Sequence, residues 1–408
     1  MIVLVLNCGS SSLKFQVIDA EPKAMGGQAQ RLARGSIERI GAGAWLRFEA
    51  VGAPAIEEVG GVPDHDAAVR KALEWMMAAQ VLQRIDAVGH RVVHGGESFT
   101  RSSVIDDQVA ARIAALGDLA PLHNAPSLAG IRACGRLLGP GVPMVAVFDT
   151  TFHVTLPEHA YRYAIPYELS LRHRIRRYGF HGTSYRSILS RYCRATGTAP
   201  EAATIVALHL GNGCSAVAIK HGRSVDTSMG FTPLEGLVMG TRSGDLDPAL
   251  IAHLAEREGV SAVEVERWLN ERSGLLGVSG QSRDMRELLE REGHDARARL
   301  AVDMFCYRAR KYVGAYLAAL GGAEAVVFTG GIGENSPDVR TRITSGLDWF
   351  GLALDAERNA SAIGREGKIS METARIQAWV IPTDEEVVIA QDTIGCLAHN
   401  RIEGGTPT

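Results

Sequence analysis

No Walker A pattern occurs in this chain of 408 residues, which disfavours a P-loop nucleotide enzyme. Cysteine is sparse. Its positions, 8, 134, 193, 214, 306 and 396, include no CxxC and no paired spacing. That argues against a disulfide framework and fits reduced thiols in the cytoplasm. No apolar run is long enough to span a bilayer. No basic region or cleavage site precedes the first strand, so a signal peptide is not expected. A net charge of −3 leaves no electrostatic footprint for nucleic acid or an anionic membrane, and neither is expected as a partner. No Pro- or Ser-rich linker separates the halves.

What is present is a repeated grammar. Val3-Leu4-Val5-Leu6, the small turn Asn7-Cys8-Gly9-Ser10-Ser11-Ser12 and Leu13-Lys14-Phe15-Gln16-Val17 read as strand, turn, strand. Ile205 to Leu210, Gly211-Asn212-Gly213-Cys214-Ser215 and Ala216 to Lys220 repeat the pattern. One such turn alone is best read as a hairpin loop. A third segment shifts the balance: Ala325 to Thr329 runs into Gly330-Gly331-Ile332-Gly333-Glu334-Asn335, a loop too glycine-rich for an ordinary connection. It does not complete a dinucleotide fingerprint, because Ser336 stands where the third glycine would be. Turns of this kind let backbone N–H groups approach a polyanion, which points to an ATP-handling protein with a duplicated fold.

Strand-like and helix-like runs alternate throughout, as in an α/β architecture. Helices are expected from Asp64 to Val81, from Asp247-Pro248 onward, from Asp295 to Leu320, and after Glu385. Strands are expected at Ala87–His94, Pro143–Phe148 and Trp379–Ile381. The best boundary lies near residues 150–160. The terminal helix is expected to pack back on the first half.

Phosphoryl transfer needs a metal, cations on the transferring group, and positioning groups. Asp149 and Glu385 each follow a strand and make a Mg²⁺ site plausible. Taken alone, Asp149 reads better as a turn cap, and Glu385 as a first-turn acid. Arg91, inside an apolar strand, and Arg242, between glycines, have no obvious local partner. Either can clamp a carboxylate or phosphate. For His181, in Tyr178-Gly179-Phe180-His181-Gly182-Thr183-Ser184, spacing does not choose between a surface histidine and a phosphoryl contact.

These residues, with His90-Arg91-Val92-Val93-His94-Gly95-Gly96-Glu97, Thr227 to Gly236, Gly240-Thr241-Arg242-Ser243-Gly244-Asp245, Ser273 to Gly277 and Pro382-Thr383-Asp384-Glu385-Glu386, closely resemble the acetate kinase family. The match runs in order from about residue 2 to about residue 395. The resemblance implies a duplicated two-domain actin-like (ribonuclease H-like) fold with the active site in the interdomain cleft. It places the N-terminal domain at 1–150 with a C-terminal helix near 386–400, and a nucleotide-binding domain at 151–385. It implies reversible transfer of phosphate from ATP to acetate, giving acetyl phosphate and ADP, with Mg²⁺ that Mn²⁺ can replace. A cytoplasmic homodimer is also implied.

Carried over position by position, Asn7 and Glu385 match the family's magnesium positions, and Lys14 an ATP-contacting lysine. Arg91 and Arg242 match the arginines around the carboxylate and the transferring phosphate. Asp149 matches the essential aspartate and His181 the transition-state histidine. His209, Leu210, Gly211, Asn212 and Gly213 match the phosphate loop. Asp284, Met285, Arg286, Gly331, Ile332, Gly333, Glu334 and Asn335 match the nucleotide segments. Val93, Leu122, Phe180 and Pro233 match the pocket for the acyl methyl, with His123 nearby. Cys214 and Tyr185 depart from the usual serine and histidine, and Ala125 stands where proline is commoner. A kinase for propionate or another short acyl acid, and a non-catalytic ATP-gated binding protein, are the competing readings. Acetic acid titrates near a glutamate, roughly pKa 4.3–5, so there is almost no proton to remove at neutral pH. Asp149 is therefore expected to work chiefly through Mg²⁺ or its waters rather than as a base.

Overall fold

The computed structural model describes residues 1–20, 29–41, 43–79, 85–117 and 121–403; the side chains of 121–123 and 401–403 lie outside that description, as does Val81. It divides into two compact units, Met1–Thr151 with Asp384–Thr408, and Phe152–Thr383. Asp384 and Glu385, expected in the second domain, cluster with the first.

The first unit holds an eight-stranded sheet of β1 (Ile2–Gly9), β2 (Ser12–Ala20), β3 (Ala29–Glu38), β4 (Ala44–Ala50), β5 (Ala53–Gly60), β6 (Ala87–Val92), β7 (Ser103–Val104) and β8 (Met144–Phe148), in the order β5-β4-β3-β2-β1-β6-β8-β7. The expected strand through His94 ends at Val92. β1, β6 and β8 are parallel, and the hairpin β1–β2 is antiparallel. Strand alternation sorts the core onto two faces. Leu4, Leu6 and Cys8 pack with helix His65–Ala78, whose Ala68, Val69, Ala72, Leu73 and Met76 are buried. Asp64 caps that helix by accepting from Ala67 N at 2.8 Å. Val3 and Val5 face the other way, against Ile389, Ala390 and Ile394 of the terminal helix Glu385–Glu403. Gly89 of β6 is a requirement of that packing. A β-carbon there would lie 2.5 Å from Thr393 Oγ1 and 2.8 Å from Ile389 Cγ2.

The second unit repeats the plan. β9 (Ile205–Leu210), β10 (Cys214–Lys220), β11 (Arg223–Thr227), β12 (Ala325–Thr329), β13 (Gly367–Lys368) and β14 (Gln377–Val380) are ordered β11-β10-β9-β12-β14-β13. β9, β12 and β14 are parallel, and β9–β10 is an antiparallel hairpin. The order 11-10-9-12-14 therefore copies 3-2-1-6-8, and the two turns singled out in the sequence occupy equivalent places. One face is covered by helix Gly182–Thr196 through Tyr185, Ile188, Leu189, Tyr192 and Cys193. The long helix Ala296–Leu320 is capped by Asp295 and closed by left-handed Gly321. Residues 330–335 form a short helix where a loop was expected. Its entry demands glycine, since Gly330 has φ +76 and a β-carbon would meet Leu210 O at 2.7 Å. No helix among the described residues is long and apolar enough to cross a membrane.

His90 on β6 is buried, with Nε2 lacking a hydrogen-bond partner among the described residues. Burial pushes its pKa from 6.5 down to about 3. Between those values the unfolded chain binds a proton that the folded chain does not. Stability is thus fully present above pH 6.5 and is lost as pH falls toward 3, by about 1.4 kcal/mol per pH unit. His90→Met, apolar and of similar volume, should flatten the acid limb in urea unfolding measured from pH 4 to 7. An unchanged slope would assign the acid sensitivity to other groups.

Candidate active site

In the first unit the chemistry gathers where the parallel strands end. Alternation puts Asn7 on the face of Val3 and Val5, and Lys14 stands directly opposite it across the hairpin. Arg91 shares the face of Gly89. Asp149 follows β8 immediately and opens a 3-10 turn to His153. Glu385 begins the terminal helix on this same face. The ends of parallel strands are where α/β folds present ligand sites.

Arg91 has a partner after all. Its Nε donates to Asp149 Oδ1 at 3.0 Å and its Nη2 to Oδ2 at 2.6 Å, a bidentate fork with Asp149 only 1% exposed. Burial alone would lower the arginine's pKa, but Asp149 and Glu385 outweigh it and raise it. Burial raises the Glu385 carboxyl, Arg91 and Lys14 pull it down, and Asp149 pushes it up again. Glu386 is likewise raised by burial and by Glu385. Val93 lies just beyond Arg91 and is half-buried. Leu122 and His123 begin helix Pro121–Leu138, but their side chains lie outside the described residues.

In the second unit His181 is the N-cap of helix Gly182–Thr196, in the left-handed region at φ 59, ψ 26. A non-glycine residue held there is strained by about 1–3 kcal/mol and must be fixed by its surroundings. Its Nδ1 lies 2.8 Å from Ser215 Oγ, and its ring stacks on His209 at 4.3 Å between centroids. His209 Nδ1 is in turn 2.8 Å from Ser184 Oγ. Arg242 donates to Pro233 O at 3.3 Å and has no carboxylate partner among the described residues; burial lowers its pKa. The two groups converge on the glycine turn. A β-carbon on Gly213 would lie 3.6 Å from both His181 Nε2 and Arg242 Nη1. Phe180 is buried beside His181, with its carbonyl 2.9 Å from His153 Nε2.

The substituted Cys214 turns inward. Its thiol donates to Gly211 O at 3.1 Å, and burial pushes its pKa to about 12, so it braces the turn as a neutral group. Glu334 also works internally, its Oε1 accepting from Gly330 N at 2.9 Å, Thr329 Oγ1 at 3.1 Å and Thr383 N at 3.1 Å. That ties the loops after β12 and β14 together. Arg340, wholly buried, donates to the Gly333 and Glu334 carbonyls and to Asn359 and so holds the Gly330–Asn335 helix. Asn335 Nδ2 donates to Gly331 O within that helix. Asp284 and Arg286 bond to each other, with Met285 buried between them, so this segment is tied to itself rather than to the phosphate turn. Glu235 is a further brace. It accepts from Arg177 Nη2 at 2.5 Å and from Tyr163 and so anchors the loop bearing Pro233. Sequence reading did not single out Ser184, Ser215, Glu235 or Arg340. Each is a polar residue whose role is only a contact to something distant in the chain.

The family model described as the acetokinase family matches residues 2–391. A protein named acetate kinase from Solibacter usitatus is 54% identical over 407 residues, covering 97% of this chain and 98% of its own. The acetate kinase of Chloroherpeton thalassium is 50% identical, covering 97% and 99%. The crystal structure of Porphyromonas gingivalis acetate kinase superposes with TM-score 0.89 at 43% identity, covering 97% of this chain and 99% of that one. A propionate kinase from Francisella tularensis superposes with TM-score 0.90 at 40% identity, with the same coverage. The chain belongs to the acetokinase family.

Proposed function

We infer that this chain transfers the terminal phosphoryl group of ATP to acetate, reversibly and in line, giving acetyl phosphate and ADP. The observation that carries this is the convergence of His181 Nε2 and Arg242 Nη1 on the Gly213 turn. Arg242 is half-buried; a cation largely withdrawn from water with no carboxylate partner is costly, and an anionic phosphoryl group would satisfy it. His209 to Gly213 and Gly331 to Asn335 would hold the nucleotide, with Lys14 and the Asp284–Arg286 segment contributing. Arg91 would orient acetate with the N–H groups that Asp149 leaves unused. Asp149 would set that guanidinium in place, and no base is required for a substrate that is already a carboxylate.

The residues fit a divalent cation. Asp149 and Glu385 lie close enough to raise the latter's pKa, and no group of three His, Cys, Asp or Glu among the described residues forms an all-protein cage. Magnesium sites typically use one or two carboxylates and complete their shell with phosphate and water. We propose Mg²⁺, with Mn²⁺ able to replace it, held by Asn7 and Glu385 with Asp149 on its waters; bound there, it neutralises charge on the phosphates. We also propose a cytoplasmic homodimer. Leu300, Met304 and Tyr307, exposed along one side of helix Ala296–Leu320, support self-association.

Val93, Phe180 and Pro233 are proposed to set acyl length, with Leu122. The structural likeness to a propionate kinase favours propionate as a second substrate. One methylene changes binding by only roughly 1–3 kcal/mol. A hydroxamate assay with acetate, propionate and butyrate should show acetate preferred, with propionate next. No acyl phosphate from any of the three would sink the reading. Val93→Ala should raise the propionate-to-acetate ratio of kcat/KM, and an unchanged ratio would remove Val93 from the pocket.

Arg242→Met should separate activity from stability. Losing a contact made in the transition state should lower kcat by about a hundredfold or more. Removing a half-buried cation that has no carboxylate partner among the described residues should leave the melting temperature unchanged or raised. A folded variant with near-normal kcat would take Arg242 out of the mechanism.

A further inference from the structure

We propose that Tyr185 is a positioning residue for His181: its hydroxyl donates to Ser215 Oγ, Ser215 donates to His181 Nδ1, and the imidazole proton is thereby kept on Nε2. This rests on the reading above, in which His181 serves phosphoryl transfer. Ser215 Oγ sits between Tyr185 Oη at 2.5 Å and His181 Nδ1 at 2.8 Å. Tyr185 and Ser215 are both wholly buried. A serine hydroxyl carries one proton, so of its two neighbours it can donate to only one. A phenol is a good donor, and a Tyr185 proton directed at Ser215 leaves the serine proton for Nδ1. The other polarity would place the ring proton on Nδ1 and turn a bare Nε2 lone pair toward the Gly213 turn. A lone pair repels an anionic phosphoryl group, whereas an N–H stabilises it.

The rest of the setting holds this chain of bonds in place. Tyr185 lies one turn along the helix from His181, its N donating to His181 O at 3.0 Å. The phenol ring packs near Phe152 and edge-on to His153, so its position is set by packing. Ser215 stands opposite His209 in the β9–β10 register, and His209 stacks on the other side of His181. The imidazole is thus gripped at its ring face and at Nδ1, leaving the Nε2 edge over Gly213 beside Arg242. The sequence resemblance puts a histidine at position 185, where this chain has a phenol.

Tyr185→Phe keeps the ring and removes only the donor. Nitrogen-15 spectra of histidine-labelled protein without nucleotide should show neutral His181 protonated at Nε2 in the wild type and a tautomer mixture in Tyr185→Phe. The variant should lose about tenfold in kcat, a part of what removing a transition-state donor costs. KM for ATP and for acetate should stay within about twofold, because ground-state contacts are untouched. Ser215→Ala should behave alike, and the double variant should be no worse than Ser215→Ala alone. Wild-type His181 protonated at Nδ1, or a Tyr185→Phe kcat within about twofold of wild type, would overturn the proposal. The spectra read the bonding whether or not acetyl phosphate is formed, so failure of the activity reading is seen separately, in the wild-type assay.

Discussion

Half-buried Arg91 and Glu385 and fully covered Asp149 place like and unlike charges together with little access to water, and the first unit is arranged around that constraint. A lone buried carboxylate would be protonated and a lone buried guanidinium strongly destabilising. The Arg91–Asp149 fork lets Asp149 be almost fully covered at the end of β8. Glu385 then brings a second negative charge that the fork does not neutralise, and burial keeps its pKa raised. A divalent cation held there, as proposed above, would relieve this. The backbone requirements follow: parallel β1, β6 and β8 must end together, and Gly89 must lack a side chain so that the terminal helix lies close enough to present Glu385.

The second unit uses the same topology with the opposite electrostatic balance. No carboxylate among the described residues pairs with Arg242, and its pKa is lowered by burial rather than raised by a partner. His181 is kept in a left-handed backbone conformation by the stack on His209 and the bond to Ser215. Strain and uncompensated charge are both maintained at the glycine turn, where a phosphoryl group would repay them. One duplicated scaffold thus supplies a charge-paired cluster at the strand ends of the first unit and, at the glycine turn of the second, a single arginine with no carboxylate partner among the described residues.

The two hairpins and their small-residue turns were legible because alternation and turn chemistry are local. So were the helix starts at Asp64 and Asp295 and the end of the long helix at Leu320. The candidate site residues were proposed mainly through long motifs; Asp149 and His181 taken singly read no better as functional than as a cap and a surface group. The short helix at 330–335 was read as a loop because its glycines disfavour helix locally. Arg340 and Glu334 hold it by side-chain bonds to the Gly333 carbonyl and to the Gly330 and Thr383 amides.

By itself the sequence determined the α/β class, the duplication, the strand faces and the family. Each is written in short-range periodicity or in contiguous motifs. Only the tertiary structure decided that Arg91 pairs with Asp149, that Glu334 turns inward to Thr383, and that Tyr185 reaches His181 through Ser215. Hydrogen bonds of this kind depend on the approach of side chains separated by tens to hundreds of residues. Their directions are set by which strands end side by side, and no local pattern encodes that.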